Sequence, residues 1–366
     1  MTYTKLVLLC LLFMVCLYTP SQAFMQKEAI YVEQEYAQDA ALLRENYTRN
    51  AHELSRFKKG HLGLRFYRHY GEEQYLPLFF EGIELAEHSL NLIYKRGLDE
   101  ASIQAYIKDS NKKYYSTSTS RKKLRSYTLD EFPEYRFYAT KLLRHVARLD
   151  EVGLRHQHHD KFIGLLTSYD FESAFTNKKM IRAWGAQLAN QVYWLKQIGI
   201  VDYTNEFLEA VELTYPESKD RLLNKQQFEN KLYTLTHVII AASGYYQFKV
   251  DYKDYSEIID YLRGNVDTII ERAKEDVIIE VGIALLLTGE DYPEIDTIRR
   301  YISQRINRDA RMIPSPSGKT DFALGEHRNV IAVLLLDWQG VFERPKLQNL
   351  DSWEKRIPDS LYTFSQ

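Results

Sequence analysis

Cysteine is nearly absent from this 366-residue chain: Cys10 and Cys16 are its only copies, and both lie within the first 23 positions. Removal of that segment would leave neither a disulfide framework nor a thiol nucleophile. Proline (9) and glycine (16) are sparse, as long uninterrupted helices require. An excess of either charge is also missing, since 48 Lys and Arg stand against 50 Asp and Glu for a net of −2. That balance excludes a global basic field that would hold nucleic acid by releasing counterions. After residue 23 the longest apolar stretches are Val277–Leu287 and Val330–Leu336, well short of the roughly 20 residues a membrane-spanning helix needs. No glycine-rich phosphate loop, Gly-x-Ser-x-Gly elbow, His-Glu-x-x-His pair or Cys-x-x-Cys pair occurs, so no cofactor is implied.

What is present begins with an address. Lys5 precedes an apolar run from Leu6 to Tyr18, and Ser21-Gln22-Ala23 follows with small residues at the exit. This pattern predicts a secretory signal peptide over 1–23 and a protein that is exported, to the periplasm or the medium. Val15 stands where a lipid-anchored cysteine at 16 would need a small residue, which favours soluble export. The remainder, 24–366, carries the 45% hydrophobic and 27% charged residues of ordinary globular sequence and is read as one all-α domain.

The periodicity is helical nearly throughout. Ile258, Ile259, Leu262, Val266, Ile269 and Ile270 recur at three-to-four spacing between charged residues, as one buried stripe requires. Helices are expected over 28–58, 74–95, 133–150, 177–197, 204–213, 225–246, 255–272, 275–287, 292–306 and 325–337, with others starting near 60 and 98. Thr128-Leu-Asp-Glu131 reads as a capping box. The Ser/Thr-rich segment 110–126, with Lys112, Lys113, Arg121, Lys122, Lys123 and Arg125, reads as an exposed loop or frayed helix end, and 307–322, with Pro314, Pro316 and Gly318, as a long loop able to act as a lid.

Two kinds of helix alternate in the second half. Those at 255–272 and 292–306 are amphipathic, whereas 237–243, 277–287 and 330–336 are apolar all round and must be wrapped by others. Such alternation predicts helical hairpins in a full or partial α/α-toroid ring, with an α-solenoid of stacked pairs as the alternative.

Each apolar stretch also opens on a polar residue and ends at a glycine: His61 to Gly71, Gln191 to Gly199, His237 to Gly244, Glu280 to Gly289 and Asn329 to Gly340. The glycines suit left-handed helix ends. In a ring, the polar starts would gather at one mouth: His61, Arg65, Asn190, Gln191, His237, Glu280, Glu326, His327 and Asn329. Histidine titrates nearest neutral pH, and a carboxyl set among isoleucine and valine, as Glu280 is, should be raised by desolvation into a usable acid. Glu280 with Glu326 would supply the two carboxylates a glycosidase needs. His237 or His327 as base, with Arg65 holding an anion, would suit a polyuronate lyase. His61, Arg65, Asn190, Gln191 and Asn329 would bind substrate. The competing readings are a core histidine at 237, a structural ion pair at Glu280, a helix cap at 326–327 and a structural His61–Arg65 pair.

A second cluster, Arg155-His156-Gln-His158-His159-Asp160, places His156, His159 and Asp160 on one face if helical and so offers possible zinc ligands, although a solvated polar turn accounts for it equally simply. Asn46-Tyr-Thr48 fits a glycosylation sequon but falls in a helical run.

Three segments, Gly60-His-Leu-Gly-Leu-Arg-Phe-Tyr-Arg68, Leu235-Thr-His-Val-Ile-Ile-Ala-Ala242 and Gly325-Glu-His-Arg-Asn-Val-Ile331, resemble exported bacterial proteins of helical families without an assigned activity and with α/α-toroid character. The expected function is therefore an exported enzyme or binder, of glycoside hydrolase or polysaccharide lyase type, acting on a polysaccharide or similar polar ligand. The alternative is a solenoid scaffold for envelope partners. Nucleic acid is not an expected partner.

Overall fold

The computed structural model describes residues 20–115, 120–343 and 351–364. Most of the predicted signal peptide, with both cysteines, lies outside them. Helix dominates: α1 (Pro20–Arg49), α2 (Arg56–Tyr70), α3 (Leu76–Arg96), α4 (Glu100–Tyr115), α5 (Ser120–Glu131), a π-helical segment (Arg136–Leu143) that runs straight into α6 (Arg144–Asp150), α7 (His159–Thr167), α8 (Phe171–Thr176), α9 (Lys178–Gln197) and α10 (Thr204–Thr214). There follow α11 (Lys225–Ala242), α12 (Tyr252–Gly264), α13 (Val266–Arg272), α14 (Glu275–Leu286), α15 (Pro293–Ser303) and α16 (Phe322–Leu336). The protein is all-α. The described exception is a two-stranded antiparallel sheet, β1 (Leu154–His156) with β2 (Leu361–Thr363), which fastens the C-terminal segment to the middle of the chain.

Local chemistry sets the helix starts. The Asn177 side chain accepts from the Lys179 and Met180 amides to cap α9, and Asn224 with Gln227 forms a reciprocal capping box on α11. Asp251 and Asp321 cap α12 and α16 in the same way. Thr128, in contrast, sits in the last turn of α5, where its hydroxyl donates to the Arg125 carbonyl and accepts from the Trp184 indole; it caps nothing. All five closing glycines, Gly71, Gly199, Gly244, Gly289 and Gly340, have φ between 60° and 88°, the left-handed region only glycine enters cheaply.

Apolar helices lie inside. Every residue from Val277 to Leu286 on α14 is buried, Glu280 included, as is every residue from Asn329 to Leu336 on α16. The neighbour contacts run in a circuit: α2 on α3, α3 on α6, α6 on α9, α9 on α11, α11 on α14, α14 on α16, and α16 back on α2. Gly60 and Gly82 allow α2 and α3 to touch backbone to backbone, since a Cβ on Gly60 would lie 2.7 Å from the Gly82 Cα.

Two expected loops differ. Segment 110–126 is largely helical among the described residues, the end of α4 and the start of α5, and two of its basic side chains, Arg121 and Arg125, line a cleft. Segment 307–322 is pinned at its start. Asn307 and Met312 pair through their backbones, the Arg308 guanidinium bonds the buried Asp39 carboxylate, and Asn329 holds both backbone groups of Ile313. None of its residues lines the cleft described below.

Candidate functional site

A cleft of about 460 Å³ opens among α2, α5, α6, α9, α11, α14 and α16. Eight of the nine residues expected to converge line it: His61, Arg65, Asn190, Gln191, His237, Glu280, Glu326 and His327. Asn329 does not. It is fully buried and spends its amide on the Gly325 and Ile313 backbones, so it fixes the loop before α16. The expectation that these residues stand at helix starts needs correcting. His237 is the thirteenth residue of α11, and Asn190 and Gln191 lie equally deep in α9. The apolar runs that begin at these residues are only the last thirds of longer helices, which start at Asn224 and Asn177. At α9 and α11 the cleft is therefore walled by helix sides, whereas His61, Glu280, Glu326 and His327 lie in the first two turns of their helices.

Along this wall the side chains form an unbroken series. Glu326 Oε1 lies 2.6 Å from His61 Nδ1, and His61 Nε2 lies 3.2 Å from His327 Nδ1. His327 Nε2 is 3.2 Å from Glu280 Oε1, and His237 Nε2 reaches the same oxygen at 3.6 Å. His237 Nδ1 stands 3.1 Å from Asn190 Oδ1, and Thr236 Oγ1 donates to Glu280 Oε2 at 2.8 Å.

The donors can be assigned. An amide oxygen only accepts, so His237 Nδ1 donates to Asn190, while His237 Nε2 faces Glu280 Oε1. Burial raises the Glu326 carboxyl to about 7. Burial, Arg65 and His327 push His61 well below its usual value, so its ring is neutral. A neutral Glu326 donates to His61 Nδ1, His61 Nε2–H donates to His327 Nδ1, and His327 Nε2–H donates to Glu280. Burial alone would raise Glu280, but the facing imidazoles of His237 and His327 outweigh it and hold the carboxyl well below the usual range. The raised value expected for Glu280 thus belongs to Glu326, because Glu280 faces two imidazoles and a hydroxyl and Glu326 does not.

The remaining expected residues support these groups. Arg65 touches the His61 carbonyl at 3.4 Å, lies 5.8 Å from the Tyr246 ring, and has a buried Nε without a hydrogen-bond partner. Gln191 accepts from the buried Tyr135 hydroxyl at 2.8 Å. Beside them Tyr245 and Tyr246 take left-handed φ of 55° and 75°, which for bulky side chains marks strain of the kind held at functional sites. Arg68 donates to the Gly244 and Tyr245 carbonyls and fixes that turn.

Sequence reasoning missed the opposite wall. Arg121 and Arg125 of α5 and Thr140, Arg144 and Arg148 of the π-helical segment and α6 all line the cleft, as does Lys58. Their four-residue spacing, which puts each set on one helix face, was the available signal. The His156 cluster lies elsewhere and does not share one helix face: His156 is in β1 bonded to Asn91 Oδ1, His158 stacks on Tyr94, and α7 starts at His159. Among the described residues no three His, Cys, Asp or Glu side chains are grouped to hold one metal ion.

The fold and cleft define an all-α protein with a linear carboxyl–imidazole series facing a basic wall. The chain belongs to the family described as a domain of unknown function (DUF3541), whose model matches residues 36–363. No curated protein and no solved structure matches it.

Proposed function

We propose that this protein is an exported enzyme that cleaves a polysaccharide by general acid–base catalysis in the cleft. The observation that carries the reading is the series Glu326–His61–His327–Glu280–His237, which joins a carboxyl raised by burial at one end to a cleft imidazole at the other. His237 Nε2 is the base. Its Nδ1–H is held by Asn190, and the Glu280 carboxylate stabilises the imidazolium formed when it takes a proton, the division of labour a histidine base requires. His327 is the acid. As its Nε2–H passes to the leaving oxygen, its Nδ1 takes the His61 Nε2 proton, and His61 Nδ1 takes the Glu326 proton, so both rings stay neutral. Water in the open cleft then removes the His237 proton and restores that of Glu326.

The leader over 1–23 supports export, and the closed circuit of helix contacts supports a toroid-like ring over an open solenoid. The test is His237→Gln and Glu280→Gln, assayed for new chain ends on a panel of neutral and acidic polysaccharides. Loss of a proton-transfer group should cut turnover by about 10²- to 10⁴-fold, with folding retained by circular dichroism. Unchanged turnover in both variants, or a lowered melting temperature as their sole effect, would make these residues structural.

A further inference from the structure

The charge of the cleft is out of step with that of the molecule. The whole chain has a net of −2, yet the cleft wall carries Lys58, Arg65, Arg121, Arg125 and Arg144, and among the described residues none of them forms an ion pair. Arg148 is different: it shares the buried Glu151 carboxylate with Arg68, at 2.6 Å from each. The other cations are held only by neutral groups. Lys58 donates to the Ala323 carbonyl, Arg121 reaches Asn230 Oδ1 at 3.4 Å, and Arg125 bonds the Ala183 carbonyl and Gln187 Oε1. Arg144 makes no hydrogen bond among the described residues and lies against the Phe57 ring at 4.8 Å. Against these five stand two carboxyls, Glu280, which faces the imidazoles of His237 and His327, and Glu326, raised by burial to about 7. Desolvated guanidinium groups without anions are costly. Burial, with Arg148 nearby, depresses Arg144 to about 10 as a result.

From this juxtaposition we infer that the cleft binds a polyanionic saccharide, a chain bearing uronate carboxylates, with the arginine wall as its anion subsites. The inference rests on the acid–base reading above and names its substrate class. Guanidinium groups grip carboxylates with two parallel hydrogen bonds. Tyr233, Trp194 and Phe57 supply ring faces in the same cleft, as sugar binding requires. A volume of about 460 Å³ takes a short stretch of glycan chain.

A uronate also decides the reaction. Its carboxylate, neutralised by arginine, acidifies the proton on the adjacent ring carbon. His237 Nε2 removes that proton, the carbon–hydrogen pair becomes a new carbon–carbon double bond, and the neighbouring carbon–oxygen bond to the leaving sugar breaks. The leaving oxygen takes the His327 proton. No oxidant, reductant or water is consumed.

The experiment titrates the full-length protein with polygalacturonate and alginate by calorimetry. Dextran serves as the neutral control, duplex DNA and phosphatidylglycerol vesicles as anionic controls, and the absorbance of the conjugated double bond is followed in parallel. The uronans are expected to bind, more weakly as salt rises. Arg121→Gln and Arg144→Gln should each lower affinity about tenfold, about 1.4 kcal/mol, and Arg121→Lys should recover most of it. Equal binding of dextran, unchanged affinity in both glutamine variants, or tighter binding of DNA or vesicles overturns the inference. Uronan binding without turnover keeps the anion site and removes the acid–base reading. Turnover of a neutral glycan alone keeps the acid–base reading and removes the anion site.

Discussion

Glu280 and Glu326 share one cleft and are equally buried, yet their carboxyls are shifted in opposite directions, and their neighbours explain why. Glu280 is met by His237, His327 and the Thr236 hydroxyl, whereas Glu326 is met by His61, whose own ring burial keeps neutral. Desolvation therefore wins at Glu326 and loses at Glu280. The consequence for stability has a definite sign. The folded value of Glu326, about 7, lies above its ordinary 4.5, so the native state binds more protons than the unfolded chain between those pH values. Its contribution is complete below about pH 4.5 and is lost as pH rises through 7, a change of roughly 3 kcal/mol at about 1.36 kcal/mol per pH unit. Glu326→Gln cannot titrate and should flatten that fall. Urea unfolding of both proteins at a series of pH values checks it, and parallel curves would show that Glu326 does not hold the proton. The same comparison was out of reach from sequence. Glu280 between Ile279 and Val281 looks like the more desolvated acid until the imidazoles of two other helices are placed against it.

At the scale of elements, the helices that build the site meet unusually closely. A Cβ on Gly185 of α9 would fall 1.9 Å from Thr234 Oγ1 of α11, and this contact lies about a turn from the Asn190–His237 bond joining the same helices. Gly185→Ala gains roughly 1 kcal/mol of helix propensity and costs roughly 1–3 kcal/mol of overpacking. Because the clash is with a side chain fixed on a buried helix face, the second effect should win. We expect a net loss of about 1 kcal/mol, and adding Thr234→Ala should return part of it in a double-mutant cycle; additive losses would mean that the two helices do not meet there. Element type was readable from the chain, since buried helices are apolar all round and end at glycines. Element length was not. The first two-thirds of α11 carry the buried polar residues Glu229 and Lys231, the latter paired with Asp220, so the apolar run at His237 resembles a start. Likewise Arg121 and Arg125 gave segment 110–126 the composition of a solvated loop, because charges that face an internal cleft cannot be told from charges that face water by composition alone.

At the scale of the molecule, the contacts that close the circuit join residues 36–61 to residues 296–326. Tyr36 donates to Asp296, Ser303 donates to Asp39, Asn46 donates to the Arg311 carbonyl, Tyr47 donates to the Phe322 carbonyl and stacks on its ring, and Lys58 donates to the Ala323 carbonyl. The last member of this seam is His61 with Glu326, one end of the candidate site. The geometry of the candidate site and closure are thus one structure, so loss of the seam should dissolve the site together with the fold. Arg308→Ala tests this far from the cleft. It strands the fully buried Asp39 carboxylate with Ser303 as its one remaining side-chain donor. The expected cost is about 2 kcal/mol, below that of a fully buried pair because the Arg308 guanidinium is itself open to solvent. Thermal melts of this variant followed in parallel by circular dichroism and by the imidazole resonances of His61 and His327 should give one shared midpoint, lower than in the native protein. Early melting of the imidazole signals, with the helical signal intact, would mean that the cleft is held by its own local bonds and that closure of the circuit is irrelevant to it.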